Sequence, residues 1–270
     1  MITFKKNNVN IVYIKTEKGF FMKNTMVCAF ILTAAHLYAQ SAQEVAEISY
    51  KRLSGYGSSI AETTMILKNA HGETNTRKMR IEKLEGREGD RSLITFLFPS
   101  DIKGTKLLSY ERIGKDDRQW FYLPALKRVK RISSRNKSGS FMASEFSYED
   151  IASQNYRNYR YKGEAKKVKH NAKTYLRIER IPKDTHSGYA RQVIYIDPKT
   201  YLAKFGEYYD RHGKVLKKVT FMQYRKIDGI DRIVKIEMHN VQNGKRTLLK
   251  WDKERIKAGL KASDFSKRDL

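Results

Sequence analysis

From residue 58 to residue 251 the chain reads as a series of short strands joined by turns. Residues 175–181 alternate polar and apolar side chains with a period of two, which is typical of a strand with one buried face. Asn243-Gly244 separates two such runs and is the strongest short-range signal for a β-hairpin. The seventeen tyrosines and twelve phenylalanines also suit strands, which favour aromatic side chains. These features predict an antiparallel sheet of roughly ten strands.

Only residues 43–53 show the spacing of a long amphipathic helix. Val45, Ile48 and Leu53 fall on one face, and Gly55 follows the last turn. One helix cannot cover both faces of such a sheet, so the sheet must curl around its own apolar face. The sequence therefore predicts a mainly β (α+β) fold, a highly curved antiparallel sheet with an N-terminal helix. No linker, charge block or repeat divides residues 40–270, so we expect one domain there.

The loop that follows residue 132 carries apolar side chains on a segment too short for a core helix. These are Phe141, Met142, Phe146 and Tyr148. Apolar residues on a loop must cover something, so they predict a lid over an apolar cavity. Small polar residues and Gly139, in residues 133–140, predict its hinge. Methionine side chains adapt to irregular apolar surfaces, so they favour a cavity rather than a fully packed core. The methionines in question are Met65, Met79, Met142, Met222 and Met238.

The wall opposite the lid is predicted to come from the strands that precede it. Trp120 and Tyr122 share one face of a strand by the period of two, and Leu107 lies on the preceding strand. We therefore expect these three side chains to line the cavity. The alternative is that these residues fill an ordinary hydrophobic core.

A basic run, residues 126–132, stands between this strand and the lid. Its cations are predicted to contact anionic headgroups or a protein partner at the cavity mouth; they are Lys127, Arg128, Lys130 and Arg131. Glu145, Glu149 and Asp150 lie in the lid, and we expect them to hold its hinge by salt bridges to this basic run. The alternative is that two of these carboxylates form an acidic pair for catalysis.

Residues 98–105 and 117–151, in this order and spacing, resemble the LolA-like outer-membrane lipoprotein-sorting family. The strand-turn-strand at residues 195–202 resembles it too, and the similarity extends from about Ala42 to the C-terminus. The resemblance implies an incomplete β-barrel closed by a helical or loop lid. It also implies a monomeric periplasmic carrier that binds lipid or lipoprotein acyl chains for transfer toward the outer membrane. An accessory module of an RND-type envelope transporter is the second function that the resemblance suggests.

The N-terminus predicts export through a Sec signal peptide. Lys23 precedes an apolar run, residues 26–37, and Ala39 offers a small residue for cleavage before Gln40. That run is too short to span a bilayer, which takes about 20 apolar residues. Met22 is a candidate for the true start. Cleavage would remove Cys28, the single cysteine, so the mature chain would contain no disulfide.

The net charge of +26 indicates which kinds of partner the protein can bind. Residues 1–39 carry five lysines and one glutamate, so residues 40–270 retain +22. This excess predicts association with an anionic membrane surface, and a merely solvated cationic surface is the alternative. Nucleic-acid binding is disfavoured, although residues 156–161 interleave tyrosines with arginines. A strand with one buried face explains that alternation, and export removes the chain from cytoplasmic nucleic acid.

Enzyme signatures are missing from the sequence. No HExxH or CxxC pattern, P-loop, GxGxxG or GxSxG elbow occurs, and the histidines are scattered. The sequence therefore predicts no catalytic residue, no metal site and no cofactor.

Overall fold

A computed structural model describes residues 3–6, 9–12, 40–152 and 154–270. The signal peptide was predicted over residues 1–39. Its apolar run, its cleavage site and the alternative start at Met22 fall in residues 13–39 and lie outside the described residues. The chain divides into two compact units, residues 1–38 and 39–270. In the first unit, β1 (Thr3–Lys6) pairs with β2 (Val9–Val12) as an antiparallel hairpin.

The second unit contains one long helix, one short helix and fourteen strands. The helices are α1 (Ala42–Leu53) and α2 (Tyr148–Ile151). The strands before α2 are β3 (Ser58–Lys68), β4 (Thr74–Leu84), β5 (Arg91–Phe98), β6 (Lys106–Tyr110), β7 (Arg118–Leu123) and β8 (Arg128–Ile132). Those after it are β9 (Tyr159–Tyr161), β10 (Lys166–His170), β11 (Lys173–Pro182), β12 (Arg191–Ile196), β13 (Ala203–Tyr209), β14 (Val215–Ile227), β15 (Ile230–Asn240) and β16 (Arg246–Ile256).

All fourteen strands of this unit form a single antiparallel sheet that is not closed. The order is β10-β11-β12-β13-β14-β15-β16-β3-β4-β5-β6-β7-β8, and β9 pairs with β11. The predicted mainly β fold with a large antiparallel sheet is confirmed. The sheet has more strands than the ten expected because β9 and β10 give weak sequence signals. β9 has three residues, and β10 contains one apolar residue, Val168, among cations.

The sheet curls strongly. Ile81 on β4 and Ile178 on β11 line the same cavity, yet seven strand-to-strand steps separate their strands. At about 4.8 Å per step, a flat sheet would hold these strands roughly 34 Å apart. Only a sheet that bends around its apolar face brings Ile81 and Ile178 to the same cavity.

Helix α1 packs on the concave face. Ser41 caps it in a reciprocal box with Glu44: the Glu44 backbone N–H donates to Ser41 Oγ at 3.1 Å, and the Ser41 N–H donates to Glu44 Oε2 at 2.8 Å. The helix buries Ala42, Val45 and Ala46 in the main core cluster. The predicted helix is confirmed and begins one residue earlier than expected. None of the helices in the described residues combines the length and apolar character that crossing a bilayer requires.

Candidate functional site

A cavity of about 310 Å³ lies between α1, the lid and the concave face of the sheet. We define the lid as residues 137–152. This volume is at the lower end of the range for small-molecule sites, roughly 300–1,000 Å³. Apolar side chains from many elements line the cavity, among them Ala46, Leu53, Ala61, Met79, Ile81, Ile94, Phe141, Phe146, Ile178, Ile194, Ile196, Val219, Phe221, Ile236, Met238 and Leu249.

The period of two on β3, β4 and β5 creates the apolar wall. On β4, Met79 and Ile81 are buried whereas Lys78 and Arg80 are exposed, because alternate residues face opposite sides of the sheet. Register places Ala61 opposite Ile81, and Ile81 opposite Ile94. Side chains paired in this way share a face, so the wall is continuous across three strands.

The same inward rows become polar toward one end of the cavity. Lys83 follows Ile81 on the inward face, between Ser59 and Ser92 on the adjacent strands. Burial, and then the nearby Arg232 guanidinium, lower the pKa of Lys83. Arg232 itself is neutralised by Glu254, with Nη2 2.6 Å from Oε1. This end of the cavity therefore carries charged side chains.

Two lid phenylalanines close the apolar part. Phe141 is fully buried and Phe146 is 4% exposed. The Phe141 ring packs against Phe96 on β5 at a centroid distance of 5.8 Å and edge-on against Tyr148 at 5.6 Å. Tyr148 in turn packs edge-on against Phe121 on β7. The lid side chains are thus part of the core in this closed state.

Polar contacts fasten the middle of the lid to the sheet. The Arg77 guanidinium donates to the backbone oxygen of Met142. The Glu145 N–H donates to Thr247 Oγ1 at 2.9 Å, and Asn240 Nδ2 donates to Glu145 Oε2 at 2.8 Å. These contacts reach β4, β15 and β16, so the lid bridges strands from the centre of the sheet.

The C-terminal end of the lid is held by a buried ionic cluster. Lys217 Nζ on β14 lies 3.2 Å from Asp150 Oδ2, and the Tyr189 hydroxyl donates to the same oxygen at 2.8 Å. All three side chains are almost completely buried. Burial, and then the carboxylates of Asp150 and Glu149, raise the pKa of Tyr189 well above its usual value.

Glu149 docks the lid on the loop before β12. The Ser187 hydroxyl donates to Glu149 Oε2 at 2.6 Å, and the Gly188 N–H donates to Oε1 at 2.9 Å. Burial, followed by the neighbouring Asp150 carboxylate, raises the pKa of Glu149 to about 7. A Cβ at position 188 would sit 2.9 Å from the Ser138 Cβ, so only glycine permits this close approach.

The structure brings some of the predicted cavity residues together and separates others. Leu107, Phe141 and Phe146 belong to the core cluster, and Met142 and Tyr148 pack against it. Trp120 and Tyr122 lie on the opposite face of β7, because Gln119 and Phe121 are the buried residues of that strand. Register pairs Leu107 with Phe121, so Leu107 does not share a face with Trp120. The run of four apolar or aromatic residues, 120–123, gave no alternation from which to choose the inward face.

Of the methionines considered, Met79 and Met238 line the cavity, whereas Met222 is half exposed. Met65 is buried in the core cluster. Methionine content alone therefore did not distinguish cavity positions from surface positions.

The expected salt bridges between lid carboxylates and the basic run do not form. Within the described residues, Asp150 pairs with Lys217, and Glu145 and Glu149 bind Asn240, Ser187 and Gly188. The cations of the basic run point to solvent from β8 and the turn before it; they are Lys127, Arg128, Lys130 and Arg131. Because β8 is an edge strand exposed on both faces, these side chains cannot reach the buried carboxylates.

The sequence did not indicate that the C-terminal strands form the second wall of the cavity. It also did not indicate that Lys83 is one of the charged residues that line the cavity. The signal for Lys83 was present, since it continues the inward series Met79, Ile81 at a spacing of two. No group of three or more His, Cys, Asp or Glu side chains suited to a metal occurs among the described residues.

Comparisons with known proteins place this geometry in a family. A family model described as an uncharacterized protein matches residues 88–270. No curated protein matches the chain in sequence. A crystal structure described as an outer membrane lipoprotein-sorting protein domain from Vibrio parahaemolyticus is 43% identical, with a TM-score of 0.80. The match covers 84% of this chain and 97% of that chain.

The chain belongs to the LolA-like outer-membrane lipoprotein-sorting family. A DUF1329 family protein from Desulfovibrio piger is 28% identical, with a TM-score of 0.78, over 86% of this chain and 99% of that chain. A LolA superfamily protein from Nitrosomonas europaea is 17% identical and shares the fold, with a TM-score of 0.71 over 86% of this chain and 100% of that chain. The resemblance inferred from residues 98–105 and 117–151 is confirmed.

Proposed function

We propose that this LolA-like protein is a carrier that binds an acyl chain of a lipid or lipoprotein in its cavity. The apolar cavity of about 310 Å³ beneath an aromatic lid is the observation that carries the proposal. Its lining offers hydrocarbon contacts from Ile81, Ile178 and Met238, on three separate parts of the sheet. Burial of a chain there gains about 25 cal/mol per Å² of apolar surface removed from water.

The carrier acts in the periplasm and moves its cargo toward the outer membrane. Two observations support this location. The sequence of residues 22–39 has the organisation of a Sec signal peptide. The Vibrio parahaemolyticus relative is described as an outer membrane lipoprotein-sorting domain.

Entry of the ligand requires the lid to move. Without ligand, the closed lid is favoured because opening exposes Phe141 and Phe146 to water. Opening also breaks the contacts of Glu145 with Thr247 and Asn240. An acyl chain compensates by covering the apolar wall in place of the phenylalanine rings. Ligand and lid thus compete for one surface, which makes binding reversible.

Filling the cavity tests the proposal. Ala203 lines the cavity and is partly open to it, so Ala203→Phe occupies ligand space at little cost in packing. Ala61→Leu fills the space from β3 as a second variant, and exposed Ala70, in the β3–β4 turn, gives the control Ala70→Phe. We expect both cavity variants to weaken binding of a fluorescent fatty acid at least tenfold, with the control unchanged. Equal binding by all four proteins would reject the cavity as the site.

A further inference from the structure

Exposed apolar side chains concentrate at one end of the sheet. Among the described residues, six large hydrophobic side chains are exposed, and four belong to the end of β5, to the β7–β8 connection and to β8. They are Leu97, Phe98, Leu126 and Val129. Leu126 is 62% exposed and Phe98 is 50% exposed, so neither contributes much to the core.

The two segments that carry these side chains are neighbours in space. Lys106 at the start of β6 pairs with Thr95 on β5 and with Tyr122 on β7, so β5 and β7 end at the same edge of the molecule. A Cβ built on Gly104 would lie 3.3 Å from Pro124 Cγ, which shows that the β5–β6 and β7–β8 connections touch. We call residues 97–106 and 122–132 the tip surface.

The tip surface is strongly cationic. Its two segments contain six lysines and arginines and one carboxylate, that of Asp101. On β8, Arg128, Lys130 and Arg131 are exposed on both faces of the strand. Cations on an edge strand prevent strand addition by another chain, which accounts for the charge. The prevention of strand addition does not account for the exposed Phe98 and Leu126, because protection from aggregation favours polar residues at a sheet edge.

We propose that the tip surface docks this protein on an anionic lipid bilayer, with Phe98 and Leu126 inserted among the headgroups. The lysines and arginines of the tip surface match the anionic headgroups of such a bilayer, and its apolar side chains match the hydrocarbon layer below them. The inference deepens the proposed carrier function and rests on it, because a carrier must meet the membranes between which it moves cargo. A protein partner would be favoured instead if lipid composition had no effect.

The position of the lid relative to this surface supports docking during transfer. Arg77, which holds the Met142 carbonyl of the lid, lies on β4 next to Lys78, and Lys78 pairs with Phe98. The middle of the lid is therefore attached beside the tip surface. A bilayer bound there lies close to the point at which the lid is fastened.

Vesicle flotation tests the inference with matched variants. The double variant Phe98→Ser, Leu126→Ser removes both proposed insertion residues. The control, Met222→Ser with Val241→Ser, removes the two exposed apolar side chains that lie elsewhere. Vesicles of phosphatidylglycerol and phosphatidylethanolamine are compared with pure phosphatidylcholine at low and high salt.

We expect the wild-type protein and the control to bind phosphatidylglycerol vesicles and the tip variant to bind at least tenfold more weakly. Because insertion is not screened by salt, wild-type binding should decrease with salt but persist above that of the tip variant. Equal binding by wild type and tip variant, or no preference for anionic vesicles, would overturn the inference. Binding of a fluorescent fatty acid separates the two proposals, since neither Phe98 nor Leu126 lines the cavity. Failure of wild type in that assay would reject the carrier function itself.

Discussion

The lid and strand β8 follow each other in sequence but have opposite environments. Lid residues Phe141 and Asp150 are buried and contact strands from across the sheet. On β8, four of the five side chains are exposed. Four residues, 133–136, separate the end of β8 from the start of the lid. The difference shows that closure of the cavity depends on the lid, whereas β8 leaves its side chains available to the surroundings.

The first prediction concerns the apolar part of the lid. Phe141→Ala should lower the free energy of unfolding by about 3–5 kcal/mol, because a fully buried aromatic ring is removed and a cavity remains. The corresponding change on β8, Val129→Ala, should have almost no effect, since Val129 is 39% exposed. Urea denaturation measures both. Equal effects would mean that the lid is not part of the core.

The second prediction concerns the ionic cluster that holds the lid. Asp150→Ala leaves Lys217 buried without its carboxylate and should destabilise the protein by about 3 kcal/mol. The control is Asp252→Ala, which breaks the exposed pair with Lys250 at 2.9 Å. That change should cost less than about 1 kcal/mol. Thermal unfolding distinguishes the two, and similar melting temperatures would contradict a structural role for the cluster.

The third prediction follows from the raised pKa of Glu149, which is about 7 in the folded protein because of burial and then Asp150. Between pH 4.5 and pH 7 the unfolded chain loses this proton while the folded protein keeps it. Stability should therefore fall as pH rises through this window, by about 3 kcal/mol. Glu149→Gln should remove that component of the slope. Unfolding of both proteins across the window measures it, and parallel profiles would exclude Glu149 as the source.

The smallest expected effect on stability is at β8. Replacing Lys127, Arg128, Lys130 and Arg131 together by glutamate should change the unfolding free energy little, since all four side chains are exposed. Binding to anionic vesicles should weaken, because each cation near an anionic surface contributes about 1 kcal/mol. A large loss of stability would place β8 in the core, and unchanged vesicle binding would remove its electrostatic role.

Much of the fold could be predicted from the sequence because it depends on local patterns. The period of two located β11, and the helical stripe located α1. The lid was predicted because Phe141 and Phe146 stand on a loop. Its anchors could not be predicted, because Lys217, Thr247 and Asn240 lie at least 67 residues away in sequence from their lid partners.

The prediction of which face of β7 points inward was wrong for a different reason. The sequence placed Trp120 and Tyr122 on the inward face because they share one face by the period of two, yet Gln119 and Phe121 face inward. Gln119 is fully buried because its Nε2 donates to the Ser109 hydroxyl at 3.1 Å and to the Tyr148 carbonyl at 3.2 Å. A polar side chain that finds partners across the sheet and in the lid reverses the face expected from hydrophobicity. Such partners become visible only when the strands are paired.

Native mass spectrometry of the protein isolated from its own cell envelope tests whether the cavity holds an acyl chain. We expect one bound molecule with an acyl chain per polypeptide, released by organic solvent and absent from Ala203→Phe. Lipid-free polypeptide from the envelope that also takes up no lipid from mixed vesicles would contradict it. An adduct retained equally by Ala203→Phe and Ala61→Leu would place the ligand outside the cavity.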